Sequence, residues 1–183
     1  MEGILVILSV CFVLSAAQVP GLGPCPKTQP QKHLDLTKYL GKWYELYKLP
    51  NLFENKQECV TANYSMKADG HIKVLNSGIE EGKTVFAEGD AYRPDNNNES
   101  ILSVRFAAGT PYAPYWVLDT DYTSYSLVFS CEQLGSFAHV KFLWLLSRTP
   151  TIDPAVKSRL FKRLEKDGIG IVDVAPTNTA SCL

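Results

Sequence analysis

Between Gly41 and Ser147, apolar and polar residues alternate in short runs separated by turn residues. A period of two is the mark of a half-buried β-strand. Tyr44 to Lys48 and Glu58 to Met66 carry it and are rich in aromatic and β-branched side chains. Ala68-Asp69-Gly70 reads as a hairpin turn into His71 to Leu75, and Glu81-Gly82 as a second turn into Thr84 to Tyr92. Ile101 to Phe106, Tyr115 to Leu118, Tyr125 to Ser130 and Val140 to Leu146 complete eight predicted strands. Their near-regular spacing predicts either a sandwich or an up-and-down barrel.

The period then changes. Asp153-Pro154 offers an N-cap followed by proline in the first turn. Val156, Leu160 and Leu164 repeat every four residues and make one apolar stripe. Arg163 and Lys166 suit the negative end of the helix dipole, and Gly168 can end the helix. Ile169 to Val174 predicts a short ninth strand. A late helix gives a sandwich nothing to pack, but it can lie on the outer wall of a barrel. The fold class is therefore all-β: an eight-stranded antiparallel up-and-down barrel, one C-terminal helix outside it and a short ninth strand.

Alternation assigns faces. Val140, Phe142, Trp144 and Leu146 share one, as do Leu102, Val104 and Phe106, and Ile72, Val74 and Asn76. Eight strands leave an interior that is either filled by side chains or holds one small ligand. Periodicity alone does not choose between them.

Composition narrows the class. The chain has 183 residues, 45% of them hydrophobic and 20% charged, so a packed single domain is expected. The formal net charge of −1 provides no single-sign field to attract nucleic acid. Ile4 to Leu14 is an apolar run of about eleven residues followed by Ser15-Ala16-Ala17. It reads as a signal peptide over 1–17, too short to span a bilayer, with a single mature domain over 18–183 and a secreted product. Of 5 Cys, Cys11 would leave with that segment. The remaining Cys25, Cys59, Cys131 and Cys182 imply two disulfides, and spacing leaves all three connectivities open. None sits in a CxxC pair, which argues against a zinc or redox site. Asn63-Tyr64-Ser65 and Asn98-Glu99-Ser100 are glycosylation sequons, with Asn98 expected in an exposed turn over Pro94 to Ser100. Pro20 to Pro30 reads as an extended leader pinned by Cys25.

Three short segments add identity to this frame. Gly41-Lys42-Trp43-Tyr44 opens the first predicted strand, Thr120-Asp121-Tyr122 lies between the sixth and seventh, and Arg148 closes the eighth. Together, at these positions, they resemble the three signature segments of the lipocalin family. The likeness extends through Phe53-Glu54-Asn55, Ala62 to Ser65, Ile72 to Asn76, Ala113 to Leu118 and Tyr125 to Cys131. The resemblance implies a carrier for one small hydrophobic ligand, a fatty acid such as arachidonate or a steroid such as progesterone. It implies disulfides Cys25–Cys131 and Cys59–Cys182, and glycans on Asn63 and Asn98. It implies Trp43 across the closed end of the barrel with Arg148 stacked on its ring. It makes Trp144 the aromatic floor of the pocket, Tyr64 and Asn76 its polar groups, and Phe106, Tyr115, Leu127 and Phe129 its walls. A lipoprotein or a cell-surface receptor is the further partner it suggests. The loop that carries bulky apolar residues in the related branch is Ala107-Ala108-Gly109-Thr110 here, which argues against lipid docking through that loop.

Two rival functions compete with this reading. Catalysis through a barrel thiol would need a free cysteine, and none is spare once two disulfides form. His33, His71 and His139 have no metal-ligand spacing and are expected at the surface. Neither a cofactor nor a metal is expected. The helix from Pro154 to Lys166 carries Lys157, Arg159, Lys162, Arg163 and Lys166, which are expected to be a solvated outer face rather than a docking surface.

Overall fold

The computed structural model describes residues 19–54, 56–94 and 98–182; the signal-peptide reading of 1–17, with Cys11, lies outside them. Ten strands form one antiparallel sheet: β1 (Val19–Leu22), β2 (Gly41–Lys48), β3 (Glu58–Met66), β4 (Ile72–Glu80), β5 (Lys83–Tyr92), β6 (Ile101–Arg105), β7 (Ala113–Thr120), β8 (Tyr125–Leu134), β9 (Ala138–Ser147) and β10 (Ala175–Pro176). Consecutive strands from β2 to β9 are neighbours, and β9 pairs back onto β2 to close an eight-stranded barrel. Closure removes the sheet edges that would otherwise invite association.

The seam is irregular for a visible reason. β2 and β9 pair from Tyr44↔Ser147 to Lys48↔Trp144, with a register shift between Glu45 and Tyr47. Beyond that point the rest of the β9 edge is taken by β1, from Leu22↔Ala138 to Val19↔Lys141. Thus the first part of the expected leader is a strand. β10 covers β2 at Tyr47 and Lys48. The ninth strand expected over Ile169 to Val174 is not formed. Ile169 is instead fully buried, a turn follows at Val172 and Asp173, and pairing resumes only at Ala175. One short helix, α1 (Leu36–Tyr39), escaped the periodicity reading. Its N-cap Asp35 accepts from the backbone N–H groups of Thr37 and Lys38.

Two cores result. One fills the closed end of the barrel, around Tyr39, Trp43, Ile72, Leu102, Val117 and Leu146. The other lies outside, between the sheet and α2 (Pro154–Lys166), where Leu160 and Leu164 meet Leu127, Phe129, Leu143 and Leu145. Burying each of those leucines contributes roughly 1.5–3 kcal/mol. Leu127 and Phe129 are therefore not pocket walls. They sit on the outer face of β8 under the helix, while Val128 between them points inward. Because β8 is buried on both faces over Tyr125 to Cys131, alternation could not reveal which apolar residues face the lumen.

Disulfides join Cys25 to Cys131 and Cys59 to Cys182, tying the segment before α1 to β8 and the C-terminal tail to β3. His139 is also a correction: it is buried, with Nδ1 3.0 Å from the Gly23 carbonyl. On α2, Arg159 and Arg163 are held by Asp119 at 3.0 and 3.5 Å, and Arg163 donates to the carbonyls of Leu118 and Gln29.

Candidate functional site

The barrel is sealed at one end by its own backbone. The Arg148 guanidinium lies 3.6 Å from the centre of the Trp43 ring. It donates to the carbonyls of Lys38, Leu40, Lys42 and Tyr122 at 2.8–2.9 Å. Several of these are orphan carbonyls at the C-terminus of α1, so one side chain caps the helix and covers the indole. Gly41 is required here: its φ is +91°, and a Cβ would lie 3.4 Å from Arg148 Nη1. Tyr122 also has positive φ, held by Thr120 Oγ1 accepting from its N–H, while Asp121 accepts from the N–H groups of Thr123, Ser124 and Tyr125. Gly41, Trp43, Thr120, Asp121, Tyr122 and Arg148 thus converge on one structural plug.

Above the plug lies a hydroxyl chain. Tyr39 Oη bonds Ser126 Oγ at 2.9 Å and Tyr115 Oη at 2.8 Å, and Tyr115 bonds Tyr64 Oη at 2.9 Å. Burial pushes the Tyr39 phenol up to about 12, and raises Tyr64 and Tyr115 well above the ordinary phenol range. All three are neutral hydroxyls. Tyr64 and Tyr115 form the floor of a chamber of about 80 Å³, walled by Val74, Val104, Leu146 and Trp144, with Tyr39 beneath them. Trp144 is thus a wall rather than the floor; it stacks on Phe142 at 5.8 Å, and Phe142 continues to Phe53 at 5.8 Å.

Two further recesses, of about 310 and 220 Å³, lie nearer the open end. Phe53 and Phe106 line the chamber and both recesses, so these two rings stand between them. Together the three spaces reach the ~300–1,000 Å³ usual for a small-molecule site. Phe53 is 54% and Phe106 45% exposed. Gly89 makes room for Phe106, since a Cβ there would come within 2.9 Å of its ring. Around the mouth stand more exposed apolar side chains: Leu52, Phe86, and Leu134 and Phe137 of the β8–β9 hairpin, with Leu22 alongside on β1.

One wall is charged. Glu45 and Glu54 line the chamber and are both buried. Lys48 Nζ lies 3.0 Å from Glu45 Oε1 and 3.5 Å from Glu54 Oε2. Thr177 donates to Glu45 Oε1 at 2.5 Å, while Asn51 and the Trp144 indole donate to Glu54 Oε2 at 2.9 and 3.3 Å. Burial, with Glu54 nearby, pushes the Glu45 carboxyl up to about 7 against the opposing pull of Lys48.

Of the residues read from sequence, Trp144, Tyr64, Asn76, Phe106 and Tyr115 meet at this chamber, whereas Leu127 and Phe129 do not. Tyr64 bonds Tyr115 rather than Asn76, and Asn76 Oδ1 is buried without a partner. Glu45, Phe53 and Glu54 were missed as pocket groups. A signal existed for Glu45, which is two residues from Trp43 and shares its inward phase. Asn63 is exposed on β3; Asn98 is half-buried, its carboxamide accepting from the N–H of a fully buried Ser100 in a turn whose Glu99 is exposed, while residues 95–97 of the expected exposed turn lie outside the described residues.

Known proteins can be set beside this geometry. Residues 34–178 match the lipocalin-like domain. Apolipoprotein D of Rattus norvegicus is 38% identical over 180 residues, covering 98% of this chain and 95% of that protein. Apolipoprotein D of Cavia porcellus is 40% identical over 161 residues, covering 87% and 85%. Among solved structures, insecticyanin from Manduca sexta superposes with a TM-score of 0.77 at 24% identity, covering 90% of this chain and 91% of that one, a likeness of fold. A closed eight-stranded barrel, the lipocalin-like domain match over 34–178 and a 38% identity to apolipoprotein D that spans nearly the whole chain all agree: this chain belongs to the lipocalin family.

Proposed function

We propose that the chain is an extracellular carrier that takes one hydrophobic molecule of fatty-acid or steroid size into the barrel. The single observation behind this reading is the apolar chamber, with Phe53 and Phe106 standing between it and recesses at an open end. Secretion rests on the signal-like segment 1–17, and among the described residues no helix is long and apolar enough to cross a membrane. Asn63, exposed on the outer barrel face, and Asn98, beside the exposed Glu99, are the proposed glycan sites. Binding is favoured over catalysis because all four cysteines of the described residues are in disulfides.

Burying about ten methylenes at ~0.8 kcal/mol each yields ~8 kcal/mol, the scale of micromolar affinity. The inner chamber alone is too small for such a ligand, so Phe53 and Phe106 must swing aside, and their half-exposed state makes that cheap. Titration with a neutral apolar ligand should quench tryptophan fluorescence, and Trp144→Phe should remove most of the change. A flat titration of folded protein with arachidonate, progesterone and a neutral lipid alike would end the carrier reading.

A second reading concerns the rim. Leu22, Leu52, Phe86, Leu134 and Phe137 surround the opening, and exposed apolar clusters mark contact surfaces. Docking of the open end onto a lipid surface, such as a lipoprotein, would let cargo pass without crossing water. This moves the docking role from the Ala107–Thr110 loop to other loops. Phe137→Ser combined with Leu134→Ser should abolish co-flotation with neutral phosphatidylcholine vesicles if that surface is used.

A further inference from the structure

The acidic wall is more than the barrel needs for closure. Glu45 is 2% and Glu54 7% exposed, and both face the space a ligand would fill. Lys48 is the cation between them, and its ammonium is already committed to Glu45, to Glu54 and to the Glu54 backbone carbonyl. Glu45 uses Oε1 for Thr177 and Lys48, and Glu54 uses Oε2 for Lys48, Asn51 and Trp144. The second oxygen of each, Glu45 Oε2 and Glu54 Oε1, has no hydrogen-bond partner among the described residues. Asn76 Oδ1, on the same chamber lining, also lacks one. The floor tyrosines spend their hydroxyls on one another and on Ser126.

Two carboxyls against one ammonium, on the wall of a mostly apolar chamber, repel an incoming anion and welcome a donor. The free oxygens of Glu45 and Glu54 are available to a donor that enters the chamber. We infer that the ligand buries a hydrogen-bond-donating head, a hydroxyl or an ammonium, against Glu45 and Glu54, and that a carboxylate head is excluded from this wall. This rests on the carrier reading and narrows it. A fatty acid would enter tail first and leave its carboxylate at the mouth, while a long-chain or polycyclic alcohol or amine would enter head first.

Three ligands of one chain length separate the cases: dodecanol, dodecylamine and laurate, each below its micellar concentration, displacing Nile red from the full-length protein at pH 8. Dodecanol and dodecylamine are expected to displace it at concentrations at least ten-fold lower than laurate. Glu54→Gln and Glu45→Gln keep the side-chain size and should narrow that gap, weakening the amine and strengthening laurate. A merely structural role would weaken all three together, and a gap unchanged in both variants would overturn the assignment. Laurate competing as well as the alcohol in the unsubstituted protein would overturn it while leaving the carrier reading intact. Displacement of bound Nile red by none of the three would bring down both.

Discussion

At the closed end, Arg148 donates to five backbone carbonyls and covers Trp43, which is itself wholly buried and donates its indole N–H to the Tyr39 carbonyl. At the open end, Phe53 and Phe106 leave about half their surface in water, and in the wall behind them one oxygen each of Glu45 and Glu54 accepts no hydrogen bond among the described residues. The same strands run through both ends. One end has backbone carbonyls capped by a guanidinium and its rings fixed; the other keeps apolar surface and acceptors in reserve. Stability is concentrated where nothing needs to move, and the low-stability region sits where a ligand must enter.

The contrast can be broken most sharply at Arg148. Arg148→Ala strips carbonyls of α1 and the following turn of their donor and uncovers Trp43, and should cost roughly 3–5 kcal/mol. Urea denaturation reads this directly, and a loss under 1 kcal/mol would mean that the plug is not what holds the barrel closed. Arg148→Lys keeps the charge but not the planar fork, and should recover only part of the loss.

Glu45 tests the boundary between the two regimes. Its carboxyl in the folded protein is pushed up to about 7, from 4.5. A raised folded value means that stability present below pH 4.5 is lost as pH climbs towards 7, because the unfolded chain ionises first. Glu45→Gln removes that loss, so the variant should gain on the unsubstituted protein by about 2–3 kcal/mol between pH 4.5 and pH 8. Parallel stability profiles for the two proteins would show that the group is not strained by burial.

Phe106→Ala addresses the mouth alone. Because the ring is 45% exposed, its removal should cost under ~1 kcal/mol of stability yet lower ligand affinity about ten-fold. A variant that loses stability and binding in proportion would erase the distinction between the ends. The smallest effect is expected at Asn76, where Asn76→Leu removes a buried acceptor without a partner. It should leave stability equal or raise it by ~1 kcal/mol, visible as a shift of a few degrees in Tm.

Legibility in the sequence follows the same divide. The closed end was readable only through the likeness of three short segments to the lipocalin family, which implied that Arg148 stacks on Trp43; periodicity did not show it, and the positive φ of Gly41 emerges only in the structure. The helix Pro154–Lys166 was readable because its stripe runs over three turns. α1, four residues long, gives periodicity nothing to repeat, and only Asp35 as an N-cap hints at it. Leu127 and Phe129 were misplaced because β8 has apolar neighbours on both faces. The acidic wall was hidden for another reason. Glu54 comes from a loop, Lys48 and Glu45 lie on either side of a register shift, and Thr177 arrives from 132 residues away. Only folding brings them together.

Thr177 reaches Glu45 from outside the barrel, on a tail that the Cys59–Cys182 bridge also anchors. Just upstream, Val172 stands 95% exposed in a turn, an open target for a protease. A single cut there would leave the clipped peptide moored by its sulfur link, with the chamber's acid still supplied with its hydroxyl. Only a reductant, acting after the cut, would set the fragment free and strip Glu45 of that donor.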